Sequence, residues 1–114
     1  MELQKGNIVK HFKGKDLIEK NIYQIVAVNP VYTGTKTFPQ DAVVIYESLF
    51  QNEKAFVREY EDLVQELSDE QKELYHQNYR IEPLTEEELE LLNNPEFIQA
   101  KKAFIEEQNN NKTL

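Results

Sequence analysis

Asn21-Ile22-Tyr23-Gln24-Ile25-Val26-Ala27-Val28-Asn29 and Asp41-Ala42-Val43-Val44-Ile45-Tyr46-Glu47-Ser48-Leu49 decide the fold class. Both runs are short and rich in β-branched and aromatic residues, and the first is bounded by turn formers, which is the signature of strands. The second run is the more apolar and reads as a strand partly buried on both faces. Working outward, Asn7 to Phe12 carries Ile8, Val9 and Phe12 and reads as an earlier strand, and Ala55 to Arg58 as a later one. The gaps hold no helical pattern, so the four segments predict an antiparallel meander rather than βαβ units. Lys13-Gly14-Lys15-Asp16, a long polar connection from Asn29 to Pro39, and a five-residue hairpin loop from Phe50 to Lys54 supply the links.

The second half changes period. Tyr60, Leu63, Val64 and Leu67 fall on one helical face. Ser68 to Gln71 and Thr85 to Glu88 are both capping-box patterns, and Leu84 and Leu89 stand where a hydrophobic staple has its two members. Between them, Tyr79-Arg80-Ile81-Glu82 alternates up to Pro83 and predicts a fifth strand. Asn94 followed by Pro95 starts a last helix, expected to reach about Glu107, with Asn109-Asn110-Asn111 fraying beyond it. Five short strands with a helical turn before the last predict a mainly β chain: a small SH3-like antiparallel β-barrel over residues 5–83, with C-terminal helices over 84–114.

The ordered set Lys10-His11-Phe12-Lys13-Gly14, Tyr23, Val43-Val44-Ile45-Tyr46-Glu47-Ser48-Leu49-Phe50 and Phe56-Val57-Arg58 resembles the DUF1653 family of small bacterial domains. That family carries a His-x-Lys-Gly opening, a Val-Val-Tyr-Gln-x-Leu-Tyr centre and a Trp-Val-Arg-Pro close. Here Glu47, Phe50, Phe56 and Glu59 stand in place of its Gln, second Tyr, Trp and Pro. The resemblance covers roughly residues 5–67. It implies a compact β-rich domain of the bacterial cytoplasm and brings no established activity with it.

The 114 residues are 39% apolar and 30% charged, enough for one small core. No cysteine is present, which excludes disulfides, thiolate metal sites and cysteine nucleophiles. Nothing approaches the ~20 apolar residues of a membrane span, and the first residues lack a signal-peptide pattern, so a cytoplasmic protein is expected. The net charge of −8 is uneven. Residues 1–60 hold eight basic and seven acidic side chains, and residues 61–114 hold five and fourteen.

Neither Ser48 nor Ser68 sits in a nucleophile elbow, and Gly6, Gly14 and Gly34 are isolated rather than forming a phosphate loop. His76 follows Glu73 at helical spacing, but a di-carboxylate metal site needs a second such pair, and the other histidine is His11 on a strand. No cofactor, no metal and no catalytic residue is therefore expected. The polar residues inside the family-like segment, His11, Lys13, Tyr46 and Arg58, are candidates for a ligand site on one face of the sheet. Arg58 could clamp a carboxylate or phosphate, or instead pair with Glu47 or Asp62. The reading these residues favour is a non-catalytic module binding a protein or a small anionic ligand. One alternative is a nucleic-acid-associated domain using Lys5, Lys10, Lys13, Lys15 and Lys20. Another is a self-assembling protein whose Phe97, Ile98, Phe104 and Ile105 stripe forms a homodimer.

Overall fold

A computed structural model describes residues 2–34, 42–51 and 54–112. Five strands, β1 (Ile8–His11), β2 (Ile22–Val28), β3 (Val43–Ser48), β4 (Ala55–Glu59) and β5 (Ile81–Pro83), form one antiparallel sheet in the order β4-β3-β2-β1-β5. Among the described residues four helices accompany it: α1 (Tyr60–Leu63), α2 (Asp69–Tyr75), α3 (Glu86–Leu91) and α4 (Pro95–Lys112). The connection expected over 29–39 reaches into 35–41, and the hairpin loop contains Asn52 and Glu53; those positions lie outside the described residues.

The expected barrel is corrected by the pairing. Among the described residues β5 bonds to β1, and β4 bonds only to β3, so the sheet is open with β4 and β5 at its edges. The architecture is mixed, because both faces of the sheet carry apolar clusters. On one face Val9, Ile25, Val44, Tyr46 and Ile81 pack with Leu3 and Leu63, and Tyr60 and Val64 pack against them. On the other, Ile22 packs with Leu17, Leu84 and Phe97, flanked by Ile8, Leu49, Phe50 and Leu92.

Strict alternation along β2 would turn Ile25 and Val28 to opposite faces. The register shifts between Ile25, opposite Tyr46, and Ala27, opposite Ile45. This bulge resets the phase, so Ile25 and Val28 both reach the first cluster.

The helix expected over Tyr60 to Leu67 is a single turn. Past Leu63 the chain leaves the helix to bond with the segment before β5: Glu66 bridges Tyr79, the Arg80 N–H donates to the Gln65 carbonyl, and the Leu67 N–H donates to that of Asn78. Leu67 is buried by this route instead. Both capping boxes form. Ser68 Oγ accepts from the Gln71 N–H at 3.2 Å, and Thr85 Oγ1 from that of Glu88 at 3.2 Å. Asn94 Oδ1 caps α4, accepting from the Glu96 N–H at 2.9 Å. That helix continues through Asn109 and Asn110 to Lys112, where fraying was expected.

Two lysines hold the β1–β2 connection. Lys20, 5% exposed, donates from Nζ to the Phe12 carbonyl (2.9 Å), the Tyr75 carbonyl (2.8 Å) and Gln77 Oε1 (3.2 Å). Lys101, 1% exposed, reaches from α4 to the carbonyls of Leu17 (2.9 Å), Ile18 (2.6 Å) and Lys20. Burial lowers the Lys101 pKa to about 8, against a small opposing pull from Asp16.

Candidate functional site

Strand register decides which side chains share a face. Val9, which lies in the first cluster, is opposite Tyr23, and Tyr46 is opposite both Ile25 and Phe56. His11 lies two residues along β1 from Val9, and Arg58 two residues along β4 from Phe56, so His11, Tyr46 and Arg58 stand on one face. Lys13 lies two residues past β1, with its ammonium 5.9 Å from the Phe12 ring centre.

Tyr23, Tyr46 and Phe56 form an aromatic cluster on that face. Tyr46 stacks on Phe56 (5.5 Å between ring centres, 25° between planes), and Tyr23 meets both edge-on, at 5.0 Å and 5.8 Å. Such offset and edge-on pairs each add ~0.5–1.5 kcal/mol beyond their burial. Burial raises the pKa values of Tyr23 and Tyr46, and Arg58 and Arg80 pull that of Tyr46 back. Both hydroxyls therefore stay protonated near neutral pH.

His11 is uncharged there. Burial foremost, then the Arg80, Lys13, Arg58 and Lys20 charges, lower its pKa to about 4. Its Nδ1 accepts from the Lys13 backbone N–H at 3.3 Å, which leaves the ring proton on Nε2. The ring lies 4.7 Å from that of Phe12.

Arg58 Nε approaches Asp62 Oδ2 at 3.6 Å, with both side chains partly exposed. An ion pair of this kind contributes at most ~1 kcal/mol, so it does not bar the guanidinium from another anion. Arg80 is the residue that sequence reading missed. Its guanidinium carbon lies 6.0 Å from the Phe12 ring centre, and its Nε is sealed from solvent without a hydrogen-bond partner. It also lines a hollow of about 310 Å³ with Phe12, Gln65, Leu67 and Ser68. Alternation in Tyr79-Arg80-Ile81-Glu82 put Arg80 out of phase with the core residue Ile81. The bridge between Glu66 and Tyr79, just ahead of β5, sets the path by which Arg80 reaches Phe12, and no local pattern announces it.

Two of the five lysines of the N-terminal cluster are engaged within the chain. Lys20 is buried and hydrogen-bonded, and Lys10 Nζ is held by Glu88 at 2.8 Å and 2.9 Å. Lys5, Lys13 and Lys15 remain exposed. The α4 stripe divides between core and surface. Phe97 belongs to the chain's own core, while Ile98, Phe104 and Ile105 are half-buried. Among the described residues no group of three His, Asp or Glu side chains converges as metal ligands. His76 takes the left-handed position that ends α2 (φ 55°). No helix among them is long and apolar enough to cross a membrane. Comparison with protein-family models, with curated proteins and with solved structures finds no match for this chain.

Proposed function

We propose that the chain is a non-catalytic binding module, and that the aromatic face of its sheet takes a ligand carrying a carboxylate or phosphate. The observation that carries this reading is the Tyr23–Tyr46–Phe56 cluster with Arg58 on the same face, where the Arg58 and Arg80 charges both act on Tyr46 in a chain of net charge −8. The rings offer apolar contact, the guanidiniums offer charge and paired donors, and neutral His11 adds a donor at Nε2. The strand order, with helical turns ahead of the last strand, supports reading the sheet as an opened SH3-like curl. The segments that resemble DUF1653 supply His11, Tyr46, Phe56 and Arg58 to this face, and we assign the chain to that family's cytoplasmic setting on the resemblance alone.

The test is a nuclear magnetic resonance titration with inorganic phosphate and with a short acidic peptide containing one aromatic residue. Shifts should concentrate on residues 23, 46, 56 and 58, weaken with added salt and vanish in Arg58→Ala. Equal binding by wild type, Arg58→Ala and Arg80→Ala would remove the face from consideration. An oligonucleotide bound with a salt slope that shrinks on Lys13→Ala and Lys15→Ala would favour the nucleic-acid alternative instead.

A further inference from the structure

Among the described residues the outer edge of β4 has no partner strand. The Ser48 N–H donates to the Lys54 carbonyl, and the Tyr60 N–H to that of Ala42. With the register Val44↔Arg58 and Tyr46↔Phe56, the even-numbered residues of β4 therefore turn both backbone groups toward β3. Ala55, Val57 and Glu59 turn their N–H and C=O groups outward. That edge carries no proline from 55 to 59, its charges (Arg58 and Glu59) stand at one end, and its central side chain, Val57, is apolar and 59% exposed.

The sequence of this edge complements itself. An antiparallel pairing of Ala55-Phe56-Val57-Arg58-Glu59 with a second copy, centred on Val57, sets Val57 opposite Val57 and Ala55 opposite Glu59. The outward-turned residues then meet one another in three narrow pairs, each exchanging two backbone hydrogen bonds. The same register sets each Phe56, 40% exposed, opposite the Arg58 of the other copy, a guanidinium beside an aromatic ring. On the opposite face, Val57 borders an apolar hollow of about 260 Å³ shared with Pro30, Val31, Tyr32, Val43 and Ile45. The two-fold brings both hollows to the axis, where Val31, 88% exposed, finds apolar cover.

We propose that β4 is a self-pairing edge and that two copies of this chain join through it into one continuous sheet about a two-fold axis at Val57. The interface is isologous, so it closes at two copies. It rests on the free edge rather than on the anion-binding reading, and its test turns on Val57, which that reading does not use.

Sedimentation of the full chain from about 1 µM to about 1 mM spans the weak and moderate associations. The wild type should pass from 13.5 kDa to twice that mass. Val57→Asp sets two carboxylates face to face at the axis. Val57→Pro removes only an outward N–H, leaving the bonds to β3 in place. Both should stay at the mass of one chain while keeping the wild-type circular dichroism spectrum. Ile105→Asp on α4 should still dimerise. In hydrogen exchange, the amides of residues 55, 57 and 59, but not 56 and 58, should gain protection as concentration rises. A wild type that stays at one chain throughout overturns the proposal. So does a dimer that survives both Val57 variants, or one lost in Ile105→Asp and kept in Val57→Asp.

Discussion

Replacing Lys101 by methionine should give a stability difference that grows with pH. The ammonium is 1% exposed and donates to three carbonyls of the β1–β2 connection, with no carboxylate hydrogen-bonded to it. Lys101→Met keeps the length of the side chain and removes the donors. The variant leaves three buried carbonyls without that donor, at ~1–3 kcal/mol each, and is relieved of desolvating a charge, so a net loss of about 2–4 kcal/mol at pH 7 follows. The pKa is about 8 in the folded chain and 10.5 in the unfolded one. Between those values the unfolded chain binds more proton, so the wild type gains stability as pH rises, by about 3 kcal/mol in full. The variant has no such gain. Tyrosine ionisation, which erodes stability at high pH because burial raises Tyr23 and Tyr46, acts on both proteins and cancels in the difference. Urea unfolding at pH 7, 8, 9 and 10 measures it. The gap between wild type and Lys101→Met should be constant below pH 7 and widen above pH 8. A gap that stays flat or narrows refutes the reading that burial outweighs the carbonyl bonds in setting the proton affinity of Lys101.

Acid should act through His11. Its folded pKa of about 4 lies below the ordinary 6.5, so the stability it confers is complete above pH 6.5 and lost as pH falls toward 4. With its partial exposure discounted, the loss is about 1–2 kcal/mol. His11→Gln should flatten that part of the stability profile, and the His11 ring resonances should titrate near pH 4; a midpoint near 6.5 would contradict the burial and charge argument. Gly14→Ala should cost about 1–3 kcal/mol in denaturant unfolding. Gly14 holds φ 124°, and a Cβ there would lie 3.0 Å from the backbone of Glu19 and Lys20. A loss below about 0.5 kcal/mol would mean that the turn relaxes.

Strands and caps were legible because their causes are local. β-branched runs between turn formers located β2 and β3, and Ser68, Thr85 and Asn94 cap α2, α3 and α4 through hydrogen bonds within three residues. The face shared by Tyr46 and Arg58 follows from strand periodicity once β3 and β4 pair, whereas His11 joins it only through the pairing of β1 with β2. What escaped depends on contacts between distant residues. The one-residue phase shift in β2 answers to the opposing strand, and Arg80 reaches Phe12 through a bridge made by Glu66. Closure failed as an expectation because nothing in β4 or β5 taken alone says whether they meet. Neither Lys20 nor Lys101 carries a local mark of its burial, because most of the carbonyls that receive them lie on distant segments.

The grip of Lys101 on the β1–β2 connection also orders events in time. Residues 17 to 20 emerge early in synthesis, while the ammonium that satisfies their carbonyls emerges more than eighty residues later. At ~5–20 residues per second, that segment waits seconds with its acceptors held by water. Closing so long a loop carries a large entropic cost and belongs to the slow steps of folding. The meander from β1 to β4 can pair before this happens, but the Leu17–Ile22–Phe97 cluster cannot. One face of the sheet therefore stays wet and apolar until α4 arrives. In that interval the nascent chain is a sheet with a single covered side, and this is the state in which chaperones and aggregation compete for it.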